Sequence, residues 1–412
     1  MNRARRSLLQ KIGLASLGLL TTSAPAWATP LLWNPCHEGL PAHLAAHPIV
    51  QAAWQGIDPA DFWDCHAHIA GVGDSDSGIR LPARQGSLWH PVHYVQRLFY
   101  LNAACVDQRP GQIDLSYIAR LNRLLEQFPP GAKLLLLAFD QAHKENGQAL
   151  PEKSAFYVAN ASAQALAARY PDHFEWIASI HPYRPDAIDA LQQAKAEGAR
   201  AVKWLPPAMG IDPAEARCRP FYQAMASLDL PLLSHTGEEK AVEGMGETAF
   251  GNPLRLRLAL QQGVRVIMAH CATLGDEADL DHGQQAVSGF SLFTRMMDDP
   301  DFRQHLFGDI SAITLRNRQP EVLHTLLQRQ DWHDRLLNGS DYPLPGILPL
   351  ILPGRLAKAG LLAPEVVPVL NELQTYNPLL FDFVLKRQLA SQGHRFAERI
   401  FATRSFFVRN RP

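Results

Sequence analysis

The sequence predicts an α/β fold, a (β/α)8 TIM barrel. Three observations carry this. Short, continuously apolar runs alternate with helical patterns from residue 61 onward, as strands of a parallel sheet covered on both faces do. There are eight such runs, the number that closes a barrel. Four histidines and one aspartate stand at or just past the ends of these runs, where parallel strands deliver side chains to one rim.

The predicted strands span residues 62–67, 134–139, 174–180, 201–205, 232–235, 264–269, 306–310 and 336–338. Helical patterns between them include 157–169, 187–197, 221–228 and 254–261. No G-x-G-x-x-G follows a strand, which removes the usual mark of an open, dinucleotide-binding sheet. One catalytic domain is the simplest organisation. Residues 29–60 form an N-terminal extension, 61–347 the barrel, and 348–412 a C-terminal segment with helices at 365–373 and 379–389 that pack across it. The stretch 271–305, with Phe290, Phe293, Met296 and Met297, reads as a lid, a helical insertion or a core-packed helix.

A chain of 412 residues with 47% hydrophobic content supports a large core and argues against disorder. With 39 Lys+Arg against 40 Asp+Glu and no long basic run, it offers no footprint for nucleic acid.

The N-terminus differs from the rest. A basic start through Lys11, a short apolar run from Ile12 to Leu20 and Ala26-Trp27-Ala28 read as a signal peptide over residues 1–28, cleaved after Ala28. The run is shorter than the ~20 residues of a spanning helix, so membrane contact is expected only during export. Arg5-Arg6 followed by Leu8-Leu9 resembles a twin-arginine signal, which implies the twin-arginine export machinery as a partner and a periplasmic destination. The five cysteines contain no C-x-x-C. A chain folded in a reducing cytoplasm does not depend on disulfides, so all five are expected to be free, with Cys65 and Cys271 as buried packing residues.

Chemistry concentrates at the strand ends. In Asp64-Cys65-His66-Ala67-His68, residues i and i+2 of a strand point the same way about 6.6 Å apart, so both imidazoles can converge on one ion. His235 ends the fifth run and His270 the sixth, while Asp341 follows the eighth. Lys203 interrupts the apolar fourth run. Singly, each histidine reads as a hydrogen-bonded core or rim residue; jointly, they read as a metal site at the carboxyl ends of the strands.

In this order, His66-x-His68, His235, His270 and Asp341 resemble the amidohydrolase superfamily of metal-dependent barrels. The phrases around Lys203-Trp204-Leu205-Pro206, His235-Thr236-Gly237, Gly251-Asn252-Pro253-Leu254 and Gly339-Ser340-Asp341-Tyr342-Pro343 are similar to its amidohydrolase-related branch, which includes aminocarboxymuconate semialdehyde decarboxylase and various lactonases. The resemblance implies His66, His68, His235 and Asp341 as ligands of a divalent ion, zinc by expectation. It also implies Asp341 as the proton-transferring base, and His270 as a ligand or a hydrogen-bond donor to the attacked carbonyl. Lys203, if carboxylated, would bridge two ions; its Trp-Leu-Pro-Pro context favours one ion and a plain lysine.

Rim charges follow several strands: Arg80 and Arg84, Glu238, Glu239 and Lys240, and Arg316 and Arg318. Arg316 and Arg80 are the candidates to hold an anionic group of a small-molecule substrate. The function expected is a hydrolase of a small amide, ester or lactone. Non-oxidative decarboxylation of an aromatic or unsaturated acid is the alternative, and a binding barrel without turnover is the non-enzymatic one. Homo-oligomers are open to such a barrel.

Overall fold

The computed structural model describes residues 32–81, 91–239, 245 and 247–409; the expected signal peptide, Arg84 and Lys240 lie outside them. Contacts divide the chain into Met1–Leu32 and Trp33–Pro412, and everything below belongs to the second unit. Among the described residues no helix is long and apolar enough to cross a membrane.

All eight expected strands form, β1 shifted by one residue and the other seven shorter than their apolar runs: β1 (Trp63–His68), β2 (Lys133–Leu137), β3 (Phe174–Ile177), β4 (Val202–Trp204), β5 (Leu232–Ser234), β6 (Val266–Met268), β7 (Leu306–Asp309) and β8 (Leu336–Leu337). Neighbours pair in parallel from β1 through β3 and from β4 through β8. The two arcs join at a parallel bridge between Ala178 and Val202. At the other seam Ala67 bridges Tyr342, and Cys65 N–H donates to the Asn338 carbonyl at 3.0 Å. The sheet therefore closes on itself, and no barrel strand is left as an unpaired edge.

Inward side chains of six strands fill the barrel: Cys65, Leu135, Leu137, Ile177, Leu233, Ile267 and Leu337 are buried together. Phe406 and Phe407 join this cluster, with the Phe406 ring 4.7 Å from that of Phe307 and the Phe406 carbonyl accepting from Arg265. They stop the amino-terminal end, leaving the carboxyl end as the open mouth. Outside, a second and larger apolar layer lies between strands and helices.

Four helices bear on the mouth or its support: α1 (Pro91–Ala103), α2 (Asn160–Arg169), α3 (Gly289–Asp298) and α4 (Pro378–Gln388). The helical pattern at 157–169 begins later than expected, because Tyr157–Val158 pairs antiparallel with Ile79–Arg80 instead. Within 271–305 the structure has a two-stranded hairpin followed by α3, which buries Leu292, Phe293, Met296 and Met297 as a core-packed helix.

The cysteines correct one expectation. Cys36 and Cys105 are joined in a disulfide, their Cα atoms 5.5 Å apart; Cys65, Cys218 and Cys271 are free and buried. The bond spans a sequence separation of 69 and ties the segment before the barrel to the end of α1, a proximity that only the fold creates.

Candidate metal centre

Each functional side chain is set by a strand end. β1 carries Asp64, His66 and His68, and its register against β2 shifts between Asp64 and Ala67. His66 is fully buried and the His68 side chain 25% exposed, with their rings 5.2 Å apart. Past β6 the backbone turns left-handed at His270 (φ 58°), and past β8 at Asp341 (φ 59°), a conformation uncommon for non-glycine residues and concentrated at functional sites. Gly339 permits this approach: a Cβ there would lie 2.7 Å from His66 Cβ.

The ligand-type atoms of His66, His270 and Asp341 lie within 4.8 Å of one another. His66 Nε2 is 3.5 Å and His68 Nε2 3.1 Å from Asp341 Oδ1, and His270 Nε2 is 3.9 Å from Oδ2. The His235 ring lies 5.3 Å from that of His270; its Nδ1 faces Glu239 at 3.4 Å, and its buried Nε2 has no hydrogen-bond partner. Lys203 Nζ, also buried, is 3.2 Å from His66 Nε2. His66, His270 and Asp341 form the tightest trio, with His68 against Asp341 and His235 against His270 beside it.

Two neighbours orient the imidazoles. His66 Nδ1 is 2.9 Å from Asp309 Oδ2, a pure acceptor, so Nδ1 carries the proton and Nε2 presents its lone pair toward Asp341. His270 Nδ1 meets the Ser311 hydroxyl at 2.8 Å and the Ser311 carbonyl at 3.2 Å, which directs its Nε2 likewise. Burial pushes His66, His235 and His270 below the ordinary imidazole range, keeping them neutral. Burial alone would raise Asp341, but His66, His270 and His68 hold it well below the usual carboxylate range. Burial also lowers Lys203, against the pull of Asp309 and Asp341. Neutral imidazoles, an ionised carboxylate and an orphaned buried nitrogen are the donor set a divalent ion requires.

The profile of the Amidohydrolase family matches residues 63–347, well over half of the chain. The chain belongs to this family. Among solved structures, the chain is similar to an uncharacterized TIM-barrel protein from Bordetella bronchiseptica at 15% identity and TM-score 0.45, covering 70% of this chain and 88% of that one. A 5-carboxyvanillate decarboxylase from Novosphingobium aromaticivorans, complexed with manganese, matches at 11% identity and TM-score 0.43, covering 82% and 95%. A 4-oxalomesaconate hydratase from Rhodopseudomonas palustris matches at 14% and TM-score 0.40, covering 79% and 98%. No curated protein matches the chain.

Above these histidines opens a cavity of about 550 Å³, lined by His66, His68, Lys203, His235, His270 and Asp341 at one end and chiefly by apolar side chains beyond. Arg316 is among its lining residues. Arg80 is not: it is exposed on the two-residue strand beside Tyr157, its guanidinium 5.9 Å from that ring, because the pairing of Ile79–Arg80 turns it to solvent. Sequence reasoning missed Asp309, whose Oδ1 accepts from the N–H groups of His270 (2.9 Å) and Ser311 (3.0 Å) while Oδ2 holds His66. An acid closing the apolar run Leu306-Phe307-Gly308 was the available signal, of the same kind that drew attention to Lys203. It also missed Arg97 and Tyr100, which α1 contributes to the cavity.

Proposed function

We propose that this amidohydrolase is a metal-dependent hydrolase that uses an activated water on a small amide, ester or lactone, with one divalent ion, zinc, at its centre. The observation that carries this is the meeting of His66, His270 and Asp341 at the foot of the cavity. His66, His270 and Asp341 would hold the ion, with His68 and the free Nε2 of His235 beside them. When bound there, such an ion is a Lewis acid that acidifies water and polarises a carbonyl. Asp341, kept ionised by its histidines, takes the proton of the attacking water and passes it to the leaving group. Asp309 and Ser311 keep His66 and His270 in one orientation throughout. Lys203 keeps a plain, uncarboxylated side chain beside His66.

Non-oxidative decarboxylation of an aromatic or unsaturated acid is the second reading, favoured by the arginines on a chiefly apolar cavity wall. Metal analysis joined to a screen of lactones, esters, amides and unsaturated acids separates the two. A new acid with an amine or alcohol marks hydrolysis; carbon dioxide marks decarboxylation. His66→Ala and His68→Ala should each lower bound metal and abolish turnover. Survival of both metal and rate in the two variants refutes the site.

We further propose that residues 1–28 direct export to the periplasm. The Cys36–Cys105 bond supports this, since disulfides persist in oxidising compartments.

A further inference from the structure

Arg318, in the loop after β7, lines the cavity and is only 7% exposed. Its Nε donates to Thr273 Oγ1 at 3.1 Å and its Nη1 to Asn317 Oδ1 at 2.9 Å, both neutral groups. Its Nη2 has no acceptor among the described residues, and no carboxylate there lies within ion-pair distance; Asp341, Glu239 and Glu238 act on it only from further away. Other buried arginines differ. Arg265 pairs with Asp229, and Arg120 and Arg335 cap backbone carbonyls, so each is satisfied by the fold itself.

A second guanidinium faces the same space. Arg97 of α1 lines the cavity, and its buried Nε has no partner. With Lys203 and Arg316, four cationic side chains stand on the described lining against three carboxylates, Asp341, Glu238 and Glu239. A divalent ion would add to that excess. Burying a charge without a partner costs folding free energy, and a guanidinium cannot escape by losing its proton near neutral pH: burial brings Arg318 down only to about 10. Such a charge is retained where an incoming anion completes it. The remaining wall, with Phe99, Phe139, Phe156, Leu315, Ile347 and Leu350, suits an apolar or aromatic body.

We propose that Arg318 is the carboxylate anchor of this cavity, and that the substrate is an aromatic or comparably apolar carboxylate. A single negative charge fits better than a phosphate dianion, because Glu238, Glu239 and Asp341 share the lining. The inference rests on the proposed function only in taking this cavity as the substrate site.

Binding of benzoate, benzamide and phenyl phosphate to the full-length, metal-loaded protein tests it by calorimetry. Benzoate should bind about tenfold or more tightly than benzamide, its uncharged isostere. Arg318→Met should erase that preference with metal content unchanged, and Arg318→Lys should restore part of it. Equal binding of benzoate and benzamide to the wild type overturns the anchor without recourse to any variant. So does benzoate binding undiminished in Arg318→Met, which would put the carboxylate on the metal instead, or phenyl phosphate displacing benzoate. An Arg318-dependent preference in a protein without metal-dependent turnover sinks the hydrolase reading and leaves the anchor standing.

Discussion

His66 Nδ1 lies 2.9 Å from Asp309 Oδ2, a contact between β1 and β7, two strands apart around the closed barrel, that fixes which nitrogen of His66 faces the centre. Neither residue is exposed, so water does not compete for the bond. The same carboxylate accepts from the His270 N–H, so one side chain orients the two histidines of the tightest trio.

Asp309→Asn keeps an oxygen for the His270 and Ser311 amides but replaces the charged acceptor of His66 Nδ1–H. Metal affinity should fall about 10- to 100-fold, the usual cost of losing the carboxylate behind a ligating histidine. Competition with a chelating dye measures it. Unchanged affinity would mean that His66 is held by packing alone.

Lys203→Ala decides between one ion and two. In the one-ion reading the variant keeps its metal, and KM rises more than kcat falls, since the lost ammonium serves substrate binding. A carboxylated Lys203 would bridge ions about 3.5 to 4 Å apart, and its removal would release metal that short carboxylic acids partly restore. Two ions per chain in the wild type, lost together on mutation, would refute the one-ion reading.

Glu277, on the hairpin before α3, is 8% exposed, and burial pushes its carboxyl up to about 7 against the opposing pull of Arg255. The folded protein therefore holds a proton, between about pH 4.5 and 7, that the unfolded chain releases. Stability should fall as pH rises through that window, by up to about 3 kcal/mol from this group. Urea unfolding of the wild type and Glu277→Gln at pH 5 and 7.5 measures the contribution as a difference in slope. Identical slopes would remove Glu277 as its source.

What was legible in the sequence follows from what strands do to composition. Buried parallel strands are apolar throughout, so their runs and the polar residues that end them stand out, which is why all eight strands and the residues His66, His68, His235, His270 and Asp341 were found. Whatever depends on loops meeting in space was hidden. Arg80 and Arg318 look equivalent as rim arginines, yet one pairs outward beside Tyr157 and the other is enclosed by the cavity wall. Cys36 and Cys105 become neighbours only because α1 returns to the segment before the barrel, where the Asn34 N–H donates to Asn102 Oδ1 at 2.8 Å.

That disulfide gives the proposed export a test independent of enzyme activity. Cys36–Cys105 secures the end of α1, and α1 supplies Arg97, Phe99 and Tyr100 to the cavity. Closing a loop of this length should stabilise the fold by about 2 to 4 kcal/mol, so Cys36→Ser should lower the unfolding free energy of exported protein, measured by denaturant titration, by that amount. Cytoplasmic thiols stay reduced, so the bond should form only after export along the proposed route. Replacing Arg5 and Arg6 by lysine should then retain unprocessed protein in the cytoplasm, with Cys36 and Cys105 both open to alkylation before unfolding or reduction. In wild-type protein from the periplasm both should resist alkylation until reduced. Periplasmic delivery of the twin-lysine variant would show that the pair is only a basic start. An intact disulfide in the retained protein would show that its formation does not report on the compartment.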